Sequence, residues 1–109
     1  MAGGRVPSWT FLSNHGHVLL AIAADPQARV RDIAERVGIT ERAAQLIIAD
    51  LEHAGYLTRS RVGRRNSYSL ARGRPFRHPA EAGRGVDDLI AIFREDRAPA
   101  NPPPPEPRP

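Results

Sequence analysis

Residues 32–45 read Asp32-Ile33-Ala34-Glu35-Arg36-Val37-Gly38-Ile39-Thr40-Glu41-Arg42-Ala43-Ala44-Gln45, and this stretch decides the fold. Ile33, Ala34 and Val37 share one face of a short helix that Asp32 and Glu35 favour at its positive end. Gly38 stops that helix, because glycine takes the left-handed conformation that ends helices. Thr40 is a good N-cap for the next one. Ala44, Ile47, Ile48 and Leu51 then give apolar positions at i, i+3, i+4 and i+7, an amphipathic stripe that Ala54-Gly55 closes. Ala34 is small enough for the two helices to approach, and Ile39 fills the gap between them. Two helices joined by a glycine turn make a helix-turn-helix signal.

Upstream, Val18, Leu19 and Ile22 recur at helical spacing and predict a helix from about Ser13 to Ala24. It ends at Asp25-Pro26, since the residue before proline avoids the helical region. Ala28 to Val30 is expected as a short extended piece. Arg31 stands where Ser or Thr would cap the following helix better. Downstream, Leu57 to Val62 and Ser67 to Leu70 are strand candidates, joined by the turn residues Gly63-Arg64-Arg65-Asn66. Arg72 to Gly85 holds two prolines and three glycines and reads as a connector. Val86, Leu89, Ile90 and Phe93 restore helical spacing for a last helix ending near Glu95. The class is mainly α with a small β-hairpin (α+β), in the order α-α-α-β-β-α. The domain is expected over 9–96, after a flexible lead at 1–8 and before a proline-rich, disordered tail at 97–109.

The 109 residues carry a net charge of +4, and every basic side chain apart from histidine is arginine. Between Thr58 and Ala80 stand Arg59, Arg61, Arg64, Arg65, Arg72, Arg74 and Arg77, with no Asp or Glu among them. A block of one sign beside a balanced remainder suits a polyanionic partner or a solvated basic face. Cysteine is absent, which excludes disulfides, thiolate catalysis and zinc sites built on cysteine. His15 and His17 are two apart and point in different directions on a helix, so no metal and no cofactor is expected. Glu41 and Asp50 pair with no nucleophile or phosphate loop, and an enzyme is not expected. No apolar run approaches the roughly 20 residues that span a bilayer. A basic leader followed by a cleavage signal is not seen, so the expected location is the cytoplasm, with no membrane partner.

Leu51-Glu52-His53-Ala54-Gly55-Tyr56-Leu57, followed by Arg61-Val62-Gly63-Arg64-Arg65-Asn66-Ser67-Tyr68, closely resembles the winged helix domains of MarR-like and ArsR-like bacterial transcription regulators. The resemblance covers roughly Asn14 to Leu70. It implies a winged helix-turn-helix in which Thr40, Glu41, Arg42, Ala43 and Gln45 form the start and exposed face of the recognition helix. Arg64 and Arg65 at the wing tip would enter a minor groove or clamp its phosphates, with Arg59, Arg61 and Asn66 reinforcing backbone contact. Leu46 departs from the basic or polar residue usual at its position, and whether it touches a thymine methyl or packs inward is open. The thiolate site of many ArsR-like metal sensors cannot form without cysteine.

The expected partners are double-stranded DNA and a second copy of the chain, joined through Trp9, Phe11, Val86, Leu89, Ile90 and Phe93. No residue set specifies a small-molecule effector. Two other readings stay open: an architectural DNA-binding protein of low sequence specificity, and a winged helix that serves as a protein–protein interaction module.

Overall fold

The computed structural model describes residues 8–97. The expected lead at 1–8, apart from Ser8, and the tail beyond residue 97 lie outside the described residues. The elements run α1 (Asn14–Ala24), α2 (Val30–Val37), α3 (Glu41–His53), β1 (Leu57–Val62), β2 (Arg65–Leu70), a 3-10 turn (Pro79–Glu81) and α4 (Val86–Arg97). This is the expected order.

Three helices meet at the centre. Val18 and Ile22 of α1, Ile33 of α2 and Ile48 of α3 are the largest side chains removed from solvent. Around them pack Leu19, Ile47, Leu51, Leu57, Tyr68, Val86 and Ile90, with Ile39 and Val37 partly covered at the turn. The α2–α3 turn forms as its sequence dictates. Gly38 has φ 89°, and the amides of Gly38 and Ile39 both donate to Ala34 O, at 2.8 and 3.0 Å. Ser13 caps α1 through Gly16 N, and Thr40 caps α3.

Three details differ from the sequence reading. Of residues 28–30, Arg29 is extended as expected, but Val30 already opens α2 and no strand forms. The amide of Tyr68 donates to Pro26 O at 2.9 Å. Too little extended chain is left for a ladder, and Pro26 has no amide to offer one. The α2 N-cap is accordingly Arg29 rather than Arg31, and it makes no side-chain cap bond. The hairpin is also tighter than expected: Val62 pairs with Arg65 and Arg61 with Asn66. Only Gly63 and Arg64 make the turn, and Arg65 and Asn66 belong to β2. The third difference is the connector, which is pinned at several points. Val86 N donates to Arg74 O at 2.8 Å and Phe76 N to Arg84 O at 3.2 Å. Gly73 N reaches Asp87 Oδ1 at 3.1 Å, and Tyr56 Oη donates to Pro75 O at 2.6 Å.

Tyr68 is a core residue whose hydroxyl is buried without a hydrogen-bond partner. Such an orphan group carries a desolvation cost of about 1–3 kcal/mol. Tyr68→Phe is therefore expected to leave stability unchanged or raise it by about 1 kcal/mol in urea unfolding. A loss of similar size would show that the hydroxyl is satisfied in solution.

Candidate nucleic-acid interface

The site is built on α3. Its stripe of Ala44, Ile47, Ile48 and Leu51 is buried, which fixes the rotation of the helix. Thr40, Glu41, Arg42 and Gln45 are consequently exposed, whereas Ala43 is half-buried. The start of the helix is held by Thr40 Oγ1, which accepts from Ala43 N at 3.0 Å. Leu46 is 58% exposed, so it faces outward and does not pack into the core. Arg42, Leu46, Ala49 and His53 line the outward side at i, i+4, i+7 and i+11, opposite the buried stripe.

The wing follows directly. Arg61, Arg64 and Arg65 are exposed and Asn66 is half-buried. Antiparallel pairing puts Arg59 and Arg61 on the face of the sheet that also carries Leu57 and Tyr68. Arg59 is occupied otherwise than expected: its guanidinium donates to Glu52 Oε1 at 3.2 Å, tying the base of the wing to the end of α3. Arg74, another member of the basic block, is also used internally. Its guanidinium donates to Ala54 O at 2.9 Å, a cation on the C-terminal end of α3. It lies so close to Gly55, whose φ is 87°, that a Cβ there would collide with it. The ion pairs Arg59–Glu52 and Arg84–Asp88 and the His15–Asp50 hydrogen bond, among the described residues, leave Arg42, Arg61, Arg64 and Arg65 out.

Sequence reasoning missed one cationic feature. Arg64, Arg65 and Asn66 share a cleft of about 360 Å³ with Gln27 to Val30, so Arg29 stands beside the wing tip. The signal was an arginine at a helix start, where the dipole disfavours a cation.

The residues expected at a dimer contact divide. Val86 and Ile90 are 8% and 6% exposed and belong to the core of their own chain, which corrects their assignment to a partner contact. Leu89 is half-buried. Trp9, Phe11 and Phe93 stay exposed, as does Ile92, which the sequence reading passed over. The rings of Trp9 and Phe11 meet edge to face, with centroids 5.3 Å apart. Beside Phe93, an open groove of about 510 Å³ runs between α1, α2 and α4 along Leu20, Ala24 and Val37. Among the described residues no group of three or more His, Asp or Glu could hold a metal ion. No helix there is long and apolar enough to cross a membrane.

Helix, glycine turn, capped second helix and arginine-tipped hairpin define a winged helix-turn-helix fold. Residues 13–58 match the family model described as winged helix-turn-helix DNA-binding. Solved structures share the fold. The PcaV transcriptional regulator from Streptomyces coelicolor, in complex with its natural ligand, aligns with TM-score 0.52 and 26% identity, over 80% of this chain and 63% of that one. A protein from E. coli described as a predicted DNA-binding transcriptional regulator aligns with TM-score 0.52 and 17% identity, over 74% of each chain. MepR, a transcription regulator of the Staphylococcus aureus multidrug efflux pump MepA, aligns with TM-score 0.50 and 16% identity, over 75% of this chain and 56% of that one. No curated protein sequence matches.

Thr40→Ala removes the cap of α3 and is expected to cost about 1 kcal/mol in urea unfolding. Thr40→Ser keeps the acceptor and should recover most of it. Equal stability for all three chains would show that the cap does not hold the helix start.

Proposed function

We propose that the protein is a DNA-binding transcription regulator that lays α3 in the major groove and sets the wing on the adjacent backbone or minor groove. One observation carries this reading: beyond the N-cap Thr40, the outward face of α3 through Arg42, Gln45 and Leu46 is spent on no internal packing. A helix held this way by its opposite face presents its first turns to base edges. Arg42 suits guanine, whose two major-groove acceptors match a guanidinium, and Gln45 suits adenine. Thr40, Glu41 and Ala43 frame the entry. Arg61, Arg64 and Arg65 supply charge for phosphates, and Arg64 at the turn is the furthest advanced. Asn66 supports them, and Arg59 acts by holding the wing against α3.

One such helix reads only a few base pairs, so two copies on a two-fold site give the specificity a regulator needs. Trp9, Phe11, Ile92 and Phe93 are the apolar groups available for that contact, with Leu89 at its margin. The function is binding without catalysis, in the cytoplasm where DNA is accessible, by a domain over residues 9–96.

The test is recovery of purified protein on sheared genomic DNA at stepped salt, with sequencing of what stays bound. Enrichment of sites with two-fold half-sites about one helical turn apart is expected. Salt-sensitive retention without enrichment would point to an architectural protein, and no retention at low salt to a protein-binding module. In the same assay Arg64→Ala with Arg65→Ala should weaken binding to all sequences and reduce the log–log salt slope by about 2 per subunit. Gln45→Ala should alter sequence preference instead. In sedimentation, Phe11→Ser with Phe93→Ser is expected to shift a dimer to monomer without loss of helical circular dichroism; an unchanged dimer would place the contact elsewhere.

A further inference from the structure

Leu46 is the large apolar side chain on the outward face of α3, and nothing in the chain's own packing accounts for it. Ala44, Ile47, Ile48 and Leu51 already carry the helix on the core. Its neighbours on the outward side are chemically different from it. One turn before stands Arg42, next to it Gln45, and one turn on the small, exposed Ala49 and Asp50, whose carboxylate is held by His15 at 2.8 Å. Leu46 therefore protrudes, with no bulky residue at Ala49 to keep it from a surface that approaches the helix.

We propose that Leu46 is a specificity-determining residue that reads the 5-methyl group of a thymine in the major groove. The inference rests on the docking of α3 proposed above and adds the group that this position recognises. Leucine has no donor or acceptor, so it cannot hold a phosphate oxygen or pair with a base edge. Pressed against the polar edge of guanine, adenine or cytosine it would strip water from donors and acceptors and return no hydrogen bond, an unfavourable exchange. The major-groove edge has one apolar protrusion, the methyl on C5 of thymine. A leucine at the centre of a docked helix thus favours thymine by burial of the methyl and disfavours the alternatives by desolvation.

Register follows from helix geometry. Leu46 lies four residues beyond Arg42, about 6 Å along the axis at about 1.5 Å per residue. Bases on one strand are spaced by about 3.4 Å. The thymine is then one or two steps from the base that Arg42 contacts, and the half-site pairs a guanine read by charge with a thymine read by shape. Since 5-methylcytosine carries the same methyl on the same carbon, the position also senses that modification.

The experiment uses the full chain and the operator recovered from genomic DNA. Each thymine of a half-site is replaced singly by uracil, which deletes the methyl and keeps every hydrogen-bonding group. One position is expected to weaken binding about fourfold per half-site, the size appropriate to one buried methyl. At that position 5-methylcytosine should bind more tightly than cytosine. Leu46→Ala, a change at an exposed site checked by circular dichroism, should bind the thymine and uracil operators equally. Sequence-specific binding that no uracil substitution weakens would overturn the proposal and leave the DNA-binding reading intact. So would a Leu46→Ala protein that keeps the full preference for thymine over uracil. Failure to enrich any operator would overturn both.

Discussion

Val18 and Ile22 of α1 close against Ile33 of α2 and Ile48 of α3, and the rest of the molecule depends on that junction. Neither α2, with 8 residues, nor α3, with 13, has the length to stand alone in water. The shorter one also lacks a side-chain cap. Each is helical because the other two give its apolar face somewhere to go. The rotation of α3 about its axis is a consequence of that burial. Once Ala44, Ile47, Ile48 and Leu51 point inward, Arg42, Gln45 and Leu46 point outward. The identity of the outward face of α3 is thus settled in the core.

The position of the wing relative to α3 is set by a second group of contacts at the other end of that helix. Arg59 reaches back to Glu52, Arg74 donates to Ala54 O, and Tyr56 holds Pro75. Three residues after His53 the chain has therefore turned and been fastened on both sides. These contacts divide the basic block into two populations. Arg59 and Arg74 spend their charge inside the fold, on a carboxylate and on the negative end of a helix. Arg61, Arg64 and Arg65, nearer the turn of the hairpin, stay exposed.

Much of this was legible in the sequence because it depends on periodicity and turn chemistry. The stripe from Ala44 to Leu51, the stop at Gly38 and the cap at Thr40 are local signals, and α3 follows them. Elements that depend on tertiary partners were not legible. Nothing local tells that Arg74 will find Ala54 O twenty residues earlier, so the points at which the connector is pinned are not read from its sequence. Val86 and Ile90 show the same limit: spacing finds the apolar face of α4 but not whether its own core or a partner claims it. The turn of the hairpin was drawn too long because Arg65 and Asn66 have turn-like composition, while the pairing of Val62 with Arg65 is a cross-strand property. For the interface the pattern is similar. Residues on the face of α3 could be named from helical spacing, whereas the orientation of Leu46 needed the observed burial, and the nearness of Arg29 to the wing tip needed the fold.

The chemistry of the exposed face implies a division of labour between affinity and selection. Along α3 the outward groups suited to base edges are few: a guanidinium, an amide and a leucine. Good base contacts discriminate by about 1–3 kcal/mol each. Three of them separate a correct half-site from a wrong one by several orders of magnitude at most, against a genome of about 10⁶–10⁹ competing sites. In the proposed complex, wing arginines set on phosphates would add affinity but no sequence information, because phosphates are alike everywhere. Adding more of them would tighten correct and incorrect complexes together. The remaining way to gain selectivity is to require two half-sites at once, which doubles the discriminating free energy without a new kind of contact. In the proposed two-fold arrangement, the exposed aromatic groups Trp9, Phe11 and Phe93 would supply the contact that meets that requirement. A wing that grips any sequence is useful to a regulator only if a second, symmetry-related reading helix must also fit.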